Sequence, residues 1–196
     1  HPGYGTQLSA LSGFNHISGW PDREPADIGY YTDFIAPMFN VLAILAALDY
    51  RRRTGKGQYL DLSQLENGVH FLSPLVLDYQ VNQRIANRLG NRSFQGYTPY
   101  GIFRCKGDDR WVAIAVQSED EWQSLCDVME DEPRIKDRRF LIAEERTANQ
   151  DEIEKLIENW TSQRSPEEVM ESLQSAGIAA GVLQTGEDLL EKDPQL

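Results

Sequence analysis

Apolar side chains crowd one stretch of this chain. Ile35, Met38, Phe39, Val41, Leu42, Ile44, Leu45 and Leu48 recur at helical spacing and predict a helix over Phe34 to Arg53, buried on more than one side. Arg51 to Arg53 suit the negative end of its dipole, and Thr54-Gly55 stops it. Upstream, a helix is expected from about Thr6 to Ile17, closed by Gly19 and followed by a turn at Trp20-Pro21-Asp22. Downstream, Gln58 to Ser63 alternates as a short strand, and Leu65 to Val81 reads as a helix interrupted or kinked at Pro74.

Residues 82–99 are polar and turn-rich, a linker or active-site loop. A different pattern follows. Gly101 to Cys105 and Trp111 to Val116 read as strands joined by a turn at Lys106 to Asp109. Amphipathic helices are expected over Glu119–Met129, Glu152–Trp160 and Pro166–Ala176, the last with Ser165 as N-cap and Glu168 completing a capping box. Ile178 to Leu183 returns as a strand, and Gly186 to Glu191 begins a final helix. The order of strands and helices predicts a mixed α/β unit.

Charge divides the chain in the same way. Residues 1–105 carry 8 acids and 9 bases, whereas residues 106–196 carry 23 acids and 10 bases. Without a basic stripe, nucleic acid is not an expected partner, and the acidic half reads as a solvated surface. The longest apolar run, Val41 to Leu48, falls well short of the roughly 20 residues of a membrane span. Cys105 and Cys126 form no disulfide framework and read as small buried hydrophobes, in a reducing, cytoplasmic setting.

Few residues invite chemistry. His1, His16 and His70 have no metal-ligand spacing, so no metal site is expected. Thr54-Gly55-Lys56-Gly57-Gln58 has the glycines of a phosphate loop, but helix precedes and strand follows, the reverse of what anion binding requires. Asp33 stands just before the most apolar helix. Its local chemistry suits an N-cap first; it is also placed as a carboxylate nucleophile would be, at the positive end of that helix among aromatic residues, and both roles can hold at once.

Several segments in order resemble the family III CoA-transferases, the CaiB/BaiF group. Asp33, the helix through Leu45-Ala46-Ala47-Leu48, the turn Arg51-Arg52-Arg53-Thr54-Gly55-Lys56-Gly57-Gln58 and the strand to Ser63 are similar to that family's most characteristic stretch. Ser12-Gly13 and Ser18-Gly19 upstream, and Gly90-Asn91, Pro99-Tyr100-Gly101, Asp109-Arg110-Trp111, Ala176 to Val182 and Asp193 to Leu196 downstream, extend the likeness over the whole chain. Family members are about twice as long, so the chain reads as a fragment without the N-terminal and C-terminal parts. The resemblance implies an α/β fold: residues 1–85 as the latter part of a Rossmann-like large domain, 86–97 as a linker, 98–185 as a small α/β domain and 186–196 as the start of a return to the large domain.

The resemblance also implies a chemistry. Asp33 falls on the family's catalytic aspartate, and Tyr4 falls where a tyrosine meets the coenzyme A moiety. CoA would pass from an acyl-CoA to a free carboxylic acid through an aspartyl covalent intermediate. No cofactor is implied, coenzyme A thioester being a substrate. Water must be kept out, for which Tyr30, Tyr31, Phe34 and Phe39 are suited, while backbone amides at the helix start hold the carboxylate. Related α-methylacyl-CoA racemases place a His where Tyr4 stands, so a racemase reading lacks one of its two acid/base groups. A noncatalytic fragment is the other alternative. Interlocked homodimers are implied for the full-length family, and no membrane partner.

Overall fold

The computed structural model describes residues 3–193 and Gln195, so His1 and two positions of the Asp193 to Leu196 segment, Pro194 and Leu196, lie outside the described residues. The chain forms two compact units, residues 1–90 and 91–196.

The regular structure described in the first unit is all helical: α1 (Gly5–Leu11), α2 (Phe14–Ile17), α3 (Tyr31–Thr54), α4 (Gln64–Phe71) and α5 (Ser73–Asn82). The single helix expected over Thr6 to Ile17 is two, because Gly13 adopts φ +102° between them and breaks the helical path. At the far end of α3, Gly55 at φ +74° donates its N–H to the Arg51 carbonyl at 2.8 Å and closes the helix as expected. The interruption expected at Pro74 separates α4 from α5, with Pro74 in the first turn of α5, where a missing N–H costs nothing. Ser63 caps α4 by accepting the Glu66 N–H at 3.3 Å.

Three expectations for this unit are corrected. First, α3 begins at Tyr31, so Asp33 is not its N-cap but lies in its first turn. Packing outweighs local capping chemistry here: Thr32 is fully buried, and the Tyr31 ring meets Phe14 and Phe71 edge-on at 5.3 and 5.9 Å. Second, α3 is not buried on more than one side. Thr32, Ile35 and Ala36 are covered, whereas Met38, Val41, Leu42, Ile44 and Leu45 are exposed. Third, residues 58–63 are not a strand. Alternation alone makes no strand without a hydrogen-bonded neighbour, and among the described residues these have none; Tyr59 is 90% exposed. By length and mean hydropathy (1.6 over 18 residues) α3 is long and apolar enough to cross a membrane, a property it shares with core helices of large proteins.

The second unit carries the strands. β1 (Tyr100–Arg104), β2 (Trp111–Ala115) and β3 (Ala179–Val182) form an antiparallel sheet in that spatial order, with β2 central. Ile102 faces Ala113 in register, and Ile114 faces Ala180. Gly107 at φ +117° turns the chain between β1 and β2. Buried Phe103, Val112 and Ile114 pack with side chains of α6 (Glu119–Val128), α8 (Gln150–Thr161) and α9 (Pro166–Ser175), among them Leu125, Ile157 and Val169. Ser118, Ser165 and Thr185 cap α6, α9 and α10 (Gly186–Glu191), and the Ser165–Glu168 box is formed as expected. Between α6 and α8 lie two 3-10 turns, Pro133–Lys136 and Arg138–Phe140, and α7 (Ala143–Ala148); they bury Ile135 and Phe140. Cys105 and Cys126 are buried as expected, and burial pushes both thiols up to about 11.

Buried charges in this unit are paired, as their desolvation demands. The Arg146 guanidinium donates to Glu119 and to the Phe140 carbonyl (3.1 Å) and lies over the Trp122 ring. Asp188 accepts from Lys192 Nζ at 2.7 Å, from the Thr185 N–H at 3.0 Å and from Arg110 Nη1 at 2.6 Å.

Two outcomes follow for stability. Ile157→Ala removes a fully buried side chain beneath the sheet and is expected to cost about 2–5 kcal/mol in denaturant unfolding. Lys192 first, then the Thr185 amide and Arg110, hold the Asp188 carboxyl well below the usual carboxylate range. A carboxyl whose folded pKa is depressed stabilises the fold above its unfolded pKa, about 3.9, and loses that contribution as pH falls further. Asp188→Asn is therefore expected to lower stability at pH 7 and to flatten its fall below about pH 4.

Candidate active site

The amino end of α3 is held by its neighbours. Its N-cap, Tyr30, supplies no side-chain hydrogen bond. The Thr32 N–H instead donates to the buried Ser9 hydroxyl of α1 at 3.3 Å, satisfying a group that a helix start leaves orphaned. The Thr32 hydroxyl donates to the Gly5 carbonyl at 3.4 Å and accepts from Gln64 Nε2, at the start of α4, at 3.1 Å. Two glycines let the three helices approach this closely. A Cβ on Gly5 would lie 2.8 Å from Asp33 Cγ, and one on Gly68 would lie 2.8 Å from Ser12 Cβ and 3.1 Å from Thr32 Cγ2.

Asp33 projects from this junction with its carboxylate exposed. Gln64 Nε2 donates to Oδ1, while Oδ2 has no hydrogen-bond partner among the described residues. The backbone amides expected to hold the carboxylate do not: the Thr32 N–H is taken by Ser9, and the Asp33 N–H donates to the Tyr30 carbonyl at 2.9 Å. The side chain that does hold it, Gln64, carries no signal in the sequence. It sits between an alternating run and a helix, and only the folded chain brings it to Asp33.

Tyr4 directly precedes Gly5, which abuts the Asp33 carboxylate, so both sequence-predicted residues belong to one region. Tyr4 is 81% exposed, and its N–H and C=O pair with Gln7 Oε1 and the Leu8 N–H within α1. The aromatic enclosure expected around Asp33 is not formed within this unit. Tyr30 and Phe34 pair with each other at 5.9 Å and are exposed, Tyr31 turns toward Phe14 and Phe71, and Phe39 meets the His70 ring.

The remaining sequence motifs are structural. Thr54 to Gln58 closes the carboxyl end of α3, where Thr54 Oγ1 donates to the Tyr50 carbonyl at 2.8 Å and accepts the Lys56 N–H at 3.2 Å. Carbonyl groups, not amides, converge on that turn, and they repel an anion. Among the described residues no group of three or more His, Cys, Asp or Glu side chains is arranged to hold a metal ion.

Known proteins share both sequence and fold with this chain. A probable CoA-transferase of Mycobacterium tuberculosis is 29% identical over 99% of this chain and 25% of its own length. A succinyl-CoA–D-citramalate CoA-transferase of Chloroflexus aurantiacus is 29% identical over 98% of this chain and 47% of its own. The crystal structure of a CaiB/BaiF family protein from Brucella suis superposes on the whole chain with a TM-score of 0.85 at 28% identity, with 51% of that protein covered. The chain thus spans about half the length of two of these relatives and a quarter of the other. The model of CoA-transferase family III matches residues 1–196, and the chain belongs to that family.

Proposed function

We propose that the protein carrying this chain transfers coenzyme A from an acyl-CoA to a free carboxylic acid, with Asp33 as the covalent nucleophile and Tyr4 beside the CoA moiety. One observation carries the reading. In a chain matched from end to end by CoA-transferase family III, a carboxylate with one free oxygen stands exposed in the first turn of a 24-residue helix, on a tightly packed three-helix junction.

Attack of the carboxylate on the thioester carbonyl gives a mixed anhydride and CoA thiolate. The thiolate returns to the aspartyl carbonyl, releases the first acid and leaves an aspartyl-CoA thioester, which the acceptor carboxylate then attacks. The energy of the thioester is conserved and passed to the acceptor so long as water is excluded, because each intermediate hydrolyses readily. Coenzyme A is a substrate here, and no further cofactor enters the scheme. The interlocked homodimer and the cytoplasmic setting belong to the same proposal.

Asp33→Asn tests it. The amide keeps an acceptor for Gln64 and is expected to leave the fold intact, yet it forms no anhydride, so transfer should be abolished. Hydroxylamine added with acyl-CoA should convert wild-type Asp33 to a hydroxamate, read as a mass shift on its peptide. Near-normal turnover by Asp33→Asn, or label on another carboxylate, contradicts the assignment. Gly5→Ala, which drives a methyl group against the Asp33 carboxylate, is expected to lower transfer about 10-fold or more while the second unit unfolds as in wild type.

A further inference from the structure

Gln64 is the one side chain that touches the Asp33 carboxylate by hydrogen bond among the described residues, and it touches a single oxygen, Oδ1. Its Nε2 group has two hydrogens, and both are used: one on Asp33 Oδ1, the other on Thr32 Oγ1 at 3.1 Å. The Thr32 hydroxyl in turn donates to the Gly5 carbonyl, and Thr32 is fully buried. The amide is therefore tied to a fixed point of the helix junction and aimed at one carboxylate oxygen. A tie between α3 and α4 does not need this arrangement, because Asn67 Nδ2 already donates to Asn40 Oδ1 at 3.0 Å between the same helices.

Resting on the reading of Asp33 as nucleophile, we propose that Gln64 is a positioning residue that assigns the two Asp33 oxygens different roles. Oδ2 is free and attacks; Oδ1 is held and carries the developing charge whenever the aspartyl carbonyl is itself attacked. In the first step an Oδ2 lone pair bonds to the acyl carbon and the C–S bond breaks, releasing CoA thiolate. Any negative charge in that transition state lies on the substrate's own carbonyl oxygen, away from Gln64. In the second step the thiolate sulfur bonds to Asp33 Cγ, and the C=O electron pair moves onto Oδ1. Its return expels the first acid as carboxylate, which takes Oδ2 with it, and leaves the aspartyl-CoA thioester. In the third step the acceptor carboxylate bonds to Cγ, charge again appears on Oδ1, and thiolate leaves. In the last step thiolate attacks the acceptor's acyl carbon and the Asp33 carboxylate is released. The second and third steps thus place an oxyanion on the atom that Gln64 Nε2 faces, and a fixed N–H donor there lowers their barriers without reorganisation.

The split between steps is the test. In the complete protein, Gln64→Met keeps the side-chain length and removes the donor. Turnover is expected to fall about 100-fold, the loss typical of one oxyanion donor, with KM for acyl-CoA changed less than about twofold. In a single turnover without acceptor acid, acyl-CoA should disappear at close to the wild-type rate. The enzyme–CoA thioester, followed by intact mass after acid quench, should build far more slowly. If Gln64→Met does not reach the wild-type melting temperature, Gln64→Leu, which removes the donor without adding a charge beside Asp33, is expected to show the same split. Turnover within about threefold of wild type, or an equal slowing of both steps, overturns the role of Gln64 and leaves Asp33 untouched. Activity retained by Asp33→Asn removes the reading on which the proposal rests.

Discussion

The start of α3 has no capping side chain of its own, and a buried helix start with unsatisfied N–H groups is not stable. Ser9 supplies the missing acceptor from α1, Gln64 reaches in from α4, and Thr32 lies buried between them with its hydroxyl bonded on both sides. These contacts require close backbones, which is why glycine stands at positions 5 and 68. The junction fixes the direction in which the next residue, Asp33, leaves the helix. A flexible surface carboxylate has many rotamers and a poor chance of meeting a reacting carbon; one held at Oδ1 keeps its other oxygen in a defined direction.

The two units solve different problems. In residues 91–196, helices cover a small antiparallel sheet, every buried charge described has a partner, and Ser or Thr caps several helices. In residues 1–90 the cover is incomplete. Large apolar side chains along α3, from Met38 to Leu45, meet solvent, and so do Tyr30 and Phe34 beside Asp33. A covalent anhydride survives only where water is scarce, so the chemistry proposed for Asp33 needs a second wall over this face.

How much was legible in the sequence follows the same division. α6, α9 and the three strands are legible because hydrophobic period and capping residues agree with the tertiary environment, even for β3, which pairs with β2 from far along the chain. The 3-10 turns between residues 133 and 140 have no period in the sequence that marks them. Residues 58–63 alternate as a strand does, yet pairing is a property of two segments and cannot be seen in one. Asp33 was placed as a cap by its local chemistry, whereas burial of Thr32 and the packing of Tyr31 pull the helix start three residues earlier than expected. Its local setting offers it as a candidate nucleophile and likeness to a family implies the catalytic role, whereas Gln64, which touches it from thirty-one positions away, has no signal in the sequence.

The central claim is a bond between Asp33 and substrate. Crystals of the complete protein, soaked with an acyl-CoA in the absence of acceptor acid and frozen during the reaction, test it most directly. The account predicts continuous density from Asp33 Cγ to the coenzyme A sulfur or to an anhydride oxygen, with the aspartyl carbonyl oxygen facing Gln64 Nε2. An unmodified Asp33 in crystals that still transfer coenzyme A, or density joining the substrate to any other side chain, would contradict it.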